Sequence, residues 1–112
     1  MQAIEIKGRN IPFDTKGFIA NFNDWDEAVA VEIALKEGIE LKDYHWIAIN
    51  FIREYYGQYM VHPTPRVLIK EVGEFLSEYR FTNGSLKELF PNGGCKQACR
   101  LAGLPDYSRA HC

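Results

Sequence analysis

The sequence has no cysteine before residue 95, no strong excess of charge of either sign and no long apolar run. A membrane helix needs about 20 consecutive apolar residues, and a secretory signal begins with a charged segment followed by an apolar one. Neither pattern is present, so we expect a cytoplasmic protein. The net charge of −2 gives no indication of a nucleic-acid partner, because nucleic-acid-binding domains usually carry a basic excess.

The chain has 112 residues, of which 46% are hydrophobic and 25% are charged. This length suits one domain with a real core. It contains no internal repeat and no low-complexity segment. We therefore expect a single domain that is a monomer when free.

The N-terminal residues have the alternating pattern of a small β-hairpin. Residues 3–7 form one strand, residues 8–10 supply the turn, and residues 11–13 form a short return strand. Pro12 cannot donate a backbone hydrogen bond, so the second strand should lie at an edge.

The next two segments have apolar residues at helical spacing, which predicts two helices. The first has Asn23 or Asp24 as its cap, with a glutamate three residues after Asp24 in the manner of a capping box, and stops at Gly38. The second runs from about Lys42 to Gln58 and carries a broad apolar stripe.

Two more helices are indicated further along the chain. Thr64 should cap the third, which extends to about Tyr79 and buries a stripe that includes Phe75. Ser85 should start a short fourth helix that ends at Phe90. With a fifth helix around the cysteines, the fold class is mainly α: a helical bundle of about five helices over residues 1–102, with an N-terminal hairpin and a flexible C-terminal arm at residues 103–112.

The three cysteines lie together near the end of the chain. Cys95 and Cys99 are four residues apart in CKQACRLA, so a helix would place their β-carbons about 5–6 Å apart. A disulfide needs roughly 3.5–4.5 Å, and a bridge between them would strain the helix. Cys112, at the last position, has little packing to contribute, which points to chemistry. It can fold back to either upstream cysteine, and closing such a loop would restrain the unfolded chain by roughly 3 kcal/mol.

Nearby charge predicts how reactive these thiols are, because the thiolate is the nucleophile. Cys95 lies near a helix start beside Lys96, and Cys99 adjoins Arg100. Both are candidates for activated thiols. The terminal carboxylate of Cys112 should oppose its ionisation.

The chain resembles the DsrC/TusE sulfur-carrier family over essentially its whole length. The clearest similarity is the run LFPNGGCKQACRLAGLP, from Leu89 to Pro105, which is similar to the C-terminal signature of that family. Earlier segments match in family order: Asn23–Trp25, His45–Trp46, Phe51–Tyr56 and Pro65–Leu68, followed by Lys70 and Gly73.

The resemblance implies a function for the cysteines. Cys112 would carry sulfur as a persulfide, and Cys99, or else Cys95, would be the resolving thiol. An upstream cysteine marks the branch that works with dissimilatory sulfite reductase, so the resemblance implies a protein co-substrate of that enzyme, without a cofactor and not a stand-alone catalyst. The alternative is a sulfur carrier in a tRNA 2-thiolation relay.

The chain departs from the family pattern in its arm. The arm is two residues longer between its cysteines, and its last cysteine is terminal rather than penultimate. Cys95 stands where alanine is common, and Gly94 where proline is common. These departures bear on the partner more than on the sulfur chemistry.

Four cations are candidate binding residues for a partner: Arg66, Lys70, Lys96 and Arg100. Arg66 and Lys70 are four apart and would form a cationic patch near the arm if the resemblance holds. The plainer interpretation of Lys70 with Glu71, and of Arg53 with Glu54, is a solvated helix face. His45 and His62 are interpreted as structural or surface residues.

Three other functions fit parts of the sequence. Cys95, Cys99, His111 and Cys112 could supply a zinc site, although their spacing is unusual and we assign no metal. Residues 64–79 and 85–90 resemble a helix-turn-helix pair with a long connection. The third is a helical interaction domain whose cysteines are inert.

Overall fold

The computed structural model describes residues 2–75 and 82–105. It begins with strands β1 (Gln2–Ile6) and β2 (Arg9–Phe13), which pair antiparallel with Ile4 opposite Ile11. The two-residue turn between them has positive φ at Lys7 and Gly8, as tight hairpin turns require. The predicted hairpin is confirmed.

The first helix starts later than its sequence pattern predicts. Residues Phe22–Asp24 form a separate 3-10 turn, and helix α1 spans Glu27–Glu37. The carboxylate of Asp26 accepts the Val29 N–H at 3.1 Å and is the true cap, so the prediction of Asn23 or Asp24 was wrong. The helix ends, as predicted, at Gly38 with a φ of 75°.

Helix α2 spans Asp43–Tyr59. Lys42 lacks a conventional capping side chain, and the Nδ1 atom of His45 accepts the Lys42 N–H at 3.0 Å instead. The buried face of α2 consists of His45, Ala48, Ile49, Ile52 and Tyr56. The helix lies in the middle of the bundle, since both α3 and α5 pack against it.

Helix α3 spans Pro65–Phe75 and is capped by Thr64, whose Oγ1 atom accepts the Val67 N–H at 3.2 Å. Leu68 and Val72 are buried, but the prediction that Phe75 is buried was wrong, because its side chain is 75% exposed. Its ring lines an open groove between α2 and α3 together with Ile47 and Phe51. Helical spacing alone cannot predict this exposure, because it does not indicate which neighbours a side chain near the end of the helix will meet.

Helix α4 spans Asn83–Leu89 and helix α5 spans Cys95–Leu101. Thr82 caps α4, accepting the Ser85 N–H at 3.4 Å, so the helix begins at Asn83, two residues before the predicted start at Ser85. α5 packs against α1 and α2, and its Ala98, Cys99 and Leu101 are 0% exposed.

The prediction of a mainly α fold is confirmed: the described residues form five α-helices and an N-terminal two-stranded hairpin. Ile11, Phe13, Phe18 and Ile19 extend the core from the hairpin into the bundle. Within residues 2–75 and 82–105, no helix has the length and apolar character that crossing a membrane would require.

Candidate functional site

Helix α5 carries the two upstream cysteines, which are both buried but differ in their bonding. Cys95 is its first residue and Cys99 lies one turn later, and both are buried, at 4% and 0% exposure. Cys99 is a free thiol and Cys95 is disulfide-bonded. The two are therefore not bridged to each other, in agreement with their helical spacing.

The Cys99 thiol is held in its neutral form. Burial raises the pKa of Cys99 to about 12, and the nearby charge of Arg100 lowers it only in part. Removing a thiolate from water costs more here than one cation returns. The prediction that Arg100 activates Cys99 was wrong, because burial outweighs the charge of its neighbour.

Arg100 is also engaged elsewhere. Its guanidinium forms an ion pair with Glu37 at 2.5 Å, and Gln97 donates a 2.9 Å hydrogen bond to the same carboxylate. Glu37 is the last residue of α1, so the ion pair fastens α5 to the end of that helix. The structure therefore gives Arg100 a packing role that the sequence did not indicate.

Cys95 lies beside the loop that joins α2 to α3. Its Sγ atom is 3.6 Å from the carbonyl oxygen of Pro63. His62, the preceding residue, is 1% exposed and has its Nε2 atom 2.7 Å from the carbonyl oxygen of Pro105. The His62–Pro63 pair thus lies between Cys95 and the last described residue of the chain.

Residues 101–105, which we call the arm root, are held by three side chains from distant parts of the sequence. Trp25 donates its Nε1–H to the Leu101 carbonyl at 2.8 Å, and Arg53 donates to the Ala102 carbonyl at 2.9 Å. His62 contacts the Pro105 carbonyl. These contacts fix the position of the chain up to Pro105, the last residue that the structure describes.

Arg53 lies at the centre of this arrangement. Its guanidinium stacks on the rings of Phe22 and Trp25, at 3.9 and 4.2 Å, and also donates to the Phe22 carbonyl at 3.2 Å. Burial lowers the pKa of Arg53, but an arginine side chain stays protonated in proteins, so the guanidinium remains charged. The prediction that Arg53 belongs to a solvated face was wrong. Its place in a helix rich in aromatic residues was the sequence signal that could have indicated stacking on an aromatic ring.

Close backbone packing completes the arm root. Gly103 has a φ of 72°, and a β-carbon there would lie 2.1 Å from Cδ1 of Trp25. Leu104 is 0% exposed, and its N–H donates to the Cys99 carbonyl at 3.1 Å. Residues 103–105 of the predicted arm are therefore bound to the fold, and the mobility of the remainder stays a prediction.

The four candidate binding cations lie on two helices. Arg66 and Lys70 are exposed one turn apart on α3, which packs against α2 and α4. Lys96 and Arg100 are half-buried one turn apart on α5, which packs against α1 and α2. Their role in binding a partner stays a prediction.

Several predicted features fall outside the described residues. Cys112 and His111 lie there, so the sulfur-carrying role of Cys112 and the four-ligand zinc site are untested. Within the described part, no group of three or more metal-binding side chains occurs. The connection between α3 and α4 is also outside it, which leaves the helix-turn-helix interpretation untested.

The chain is similar to known sulfurtransferases over most of its length. It is 41% identical over 102 residues to the sulfurtransferase TusE of Sodalis glossinidius, covering 91% of this chain and 94% of that protein. It is 38% identical over 105 residues to the TusE of Photorhabdus laumondii, covering 94% and 95%.

Two solved structures with the same fold are of DsrC proteins. The NMR structure of Allochromatium vinosum DsrC superimposes with a TM-score of 0.86 at 44% identity and covers 94% of each chain. The oxidized gamma-subunit of the dissimilatory sulfite reductase (DsrC) from Archaeoglobus fulgidus gives 0.86 at 35% identity, covering 93% of this chain and 95% of that one. The family model for DsrC-like proteins matches residues 5–109. The chain therefore belongs to the DsrC/TusE family of sulfur-relay proteins.

Proposed function

We propose that this protein is a cytoplasmic sulfur carrier that holds a sulfur atom on Cys112 as a persulfide and transfers it between partner proteins. The observation that carries this proposal is the family match over residues 5–109, together with relatives that are sulfurtransferases. The arm root supports it, because the fold holds Pro105 in place, and a chain of seven residues is long enough to span at most about 23–25 Å from there.

The loading step needs no cofactor. The Cys112 thiolate attacks the outer sulfur of a donor protein's persulfide, and the donor's S–S bond breaks as the new one forms. The donor cysteine leaves as a thiolate, and Cys112 keeps the sulfane sulfur. The reverse reaction with an acceptor thiolate unloads the carrier.

We place the tRNA 2-thiolation relay first among the two pathways. The similar proteins from Sodalis and Photorhabdus are sulfurtransferases named TusE. The sequence argument for sulfite reductase depended on Cys99 as a working thiol. The burial and raised pKa of Cys99 weaken that argument.

The second candidate, a co-substrate of dissimilatory sulfite reductase, rests on a different observation. Cys95 is disulfide-bonded in this structure, which supports a part for an upstream cysteine in thiol chemistry. The structural matches to DsrC proteins, among them an oxidized gamma-subunit, support the same role. In that case Cys95 would take the place that the resemblance gives to Cys99.

Mass spectrometry after loading with a persulfide donor tests the carrier role. The C-terminal peptide of the wild-type protein should gain the mass of one sulfur atom, and treatment with a thiol reductant should remove it. Cys112→Ser should gain none, while Cys99→Ala, the matched control with a buried thiol removed, should load normally. Loading that persists in Cys112→Ser would refute the proposal.

A gene deletion in the native host, complemented by wild-type protein or Cys112→Ser, distinguishes the pathways. The relay role predicts loss of 2-thiolated nucleosides from tRNA on deletion, restored by wild type only. Unchanged tRNA thiolation, with capture of sulfite reductase on immobilised wild-type protein, would replace the relay with the second candidate.

A further inference from the structure

We propose that the groove between α2 and α3 binds a basic amphipathic helix of a partner protein. This binding surface goes beyond the carrier function, because no cysteine takes part in it. Two features of the described residues carry the proposal: a row of apolar side chains that the fold leaves uncovered, and a set of glutamates beside that row.

The floor of the groove is a row of apolar side chains on one face of α2. Its members follow one another every four residues: Ile47, Phe51, Tyr55 and Tyr59. The ring centroids of Phe51 and Tyr55 are 5.8 Å apart, and those of Tyr55 and Tyr59 are 4.7 Å apart. The row extends about 18 Å along the helix axis, which matches about three turns of a partner helix.

Helix α3 forms the opposite wall. Val67 lies across from Tyr59, and Phe75 lies across from Ile47. Phe75 is 75% exposed and Tyr59 is 56% exposed. Single exposed apolar residues are ordinary, but a contiguous apolar surface marks a binding site. A groove with helical walls and an apolar floor accepts a helix whose apolar side chains recur every three or four residues.

The charged side chains that line the groove are all acidic. Glu54 comes from α2, and Glu71 and Glu74 come from α3. No lysine or arginine of the described residues joins them there, and the ion pairs in that part of the chain involve Asp26 and Glu37 instead. The three carboxylates are therefore available to lysine or arginine side chains of a partner.

The same carboxylates disfavour other occupants. They repel a phosphate backbone, so the groove does not suit a nucleic acid. A second copy that docked groove to groove would bring glutamates against glutamates, because a two-fold interface pairs the same surface of both copies. A basic amphipathic helix complements both the apolar floor and the acidic edge.

The groove lies on a different side of α2 from the arm root. Arg53, which donates to the Ala102 carbonyl, is two positions after Phe51 and therefore about 200° further round the helix axis. A helix bound in the groove leaves the contacts of the arm root in place. The protein thus has a surface for a partner that is separate from the residues that hold the arm.

Fluorescence anisotropy with a designed peptide tests the apolar contact. The probe is a labelled helical peptide of about four turns with leucines on one face and lysines on both sides of them. Wild type should bind it saturably, and Phe75→Ala should weaken binding about tenfold. Leu35→Ala, which removes a 70% exposed side chain from α1, is the matched control and should bind as wild type does. Equal dissociation constants for wild type and Phe75→Ala, or no saturable binding to wild type, would overturn the inference.

Charge reversal tests the acidic edge with the same peptide. The groove variant combines three substitutions: Glu54→Lys, Glu71→Lys and Glu74→Lys. The control variant has the same net charge and changes three exposed glutamates elsewhere: Glu5→Lys, Glu40→Lys and Glu88→Lys. The groove variant should lose binding by about tenfold or more, and the control variant should lose far less. Equal losses would reveal a general attraction to an acidic chain and would overturn the groove as the site.

Photo-crosslinking in the native host identifies the occupant. A photoreactive phenylalanine analogue replaces Phe75 in the full chain, and mass spectrometry sequences the cross-linked segment. We expect a segment of another protein with lysine or arginine beside apolar residues at helical spacing, and no such product from the same analogue at Leu35. A cross-link confined to this chain or to a second copy of it, or to a segment without that pattern, would overturn the inference.

Discussion

Gly103 allows the arm root to pass against Trp25, and replacing it with alanine should destabilise the fold strongly. A β-carbon at Gly103 would lie 2.1, 2.5 and 2.8 Å from three atoms of the Trp25 side chain. Trp25 must therefore move. Its hydrogen bond to the Leu101 carbonyl and its stacking with Arg53 would be lost or weakened.

The expected cost has three parts. Alanine in a left-handed conformation costs about 1–2 kcal/mol, the overlap with a packed ring costs about 1–3 kcal/mol, and a lost hydrogen bond costs about 1 kcal/mol. Gly38→Ala is the matched control, since Gly38 has a φ of 75° but nothing within 4 Å of the added carbon. Gly103→Ala should thus be about 2–4 kcal/mol more destabilising than Gly38→Ala.

Urea unfolding of both variants measures this difference, provided that the slopes agree. A double-mutant cycle identifies its origin: in a Trp25→Ala background, Gly103→Ala should cost no more than Gly38→Ala does. Equal costs for the two glycine variants in the wild-type background would refute the reasoning. An unchanged cost of Gly103→Ala without Trp25 would refute the steric explanation.

Three further predictions concern buried or partly buried polar groups. Burial raises the pKa of Cys99 from 9.0 to about 12, so the unfolded chain loses this proton at a lower pH than the folded protein does. The free energy of unfolding should therefore be independent of this group below pH 9 and fall as the pH rises towards 12. Subtracting the pH profile of Cys99→Ala from that of the wild type measures the contribution of Cys99. Arg53→Lys should lose about 2–3 kcal/mol in urea unfolding, because an ammonium cannot stack and donate to two carbonyls as a guanidinium does. Glu37→Gln should cost about 1–2 kcal/mol by removing the charge that Arg100 pairs with, and a loss below about 0.3 kcal/mol would contradict the packing role of that ion pair.

Features set by neighbouring residues were predictable from the sequence. The hairpin, the Thr64 cap, and the helix ends at Gly38 and Gly103 follow from local backbone preferences. The cap of α1 was harder, because residues 21–26 offer several capping side chains. The 3-10 turn at Phe22–Asp24 includes both predicted caps, and Asp26, two residues later, caps α1.

The arm root could not be predicted, because it depends on contacts between distant residues. Arg53 and Ala102 are 49 positions apart, and His62 and Pro105 are 43 apart. The reactivity of Cys99 was misjudged for the same reason. Its sequence neighbour Arg100 is visible in the sequence, whereas the burial that dominates its pKa arises from the packing of α5 on other helices.

The most direct test of the account follows radiolabelled sulfur through the full-length protein. A donor persulfide carrying labelled sulfane sulfur is incubated with wild type, Cys95→Ala, Cys99→Ala and Cys112→Ser, and the label per chain is counted before and after addition of a dithiol. We expect one reductant-labile label per chain in the first three proteins and none in Cys112→Ser. A full label on Cys112→Ser, or none on the wild type, would contradict the claim that Cys112 carries the sulfur.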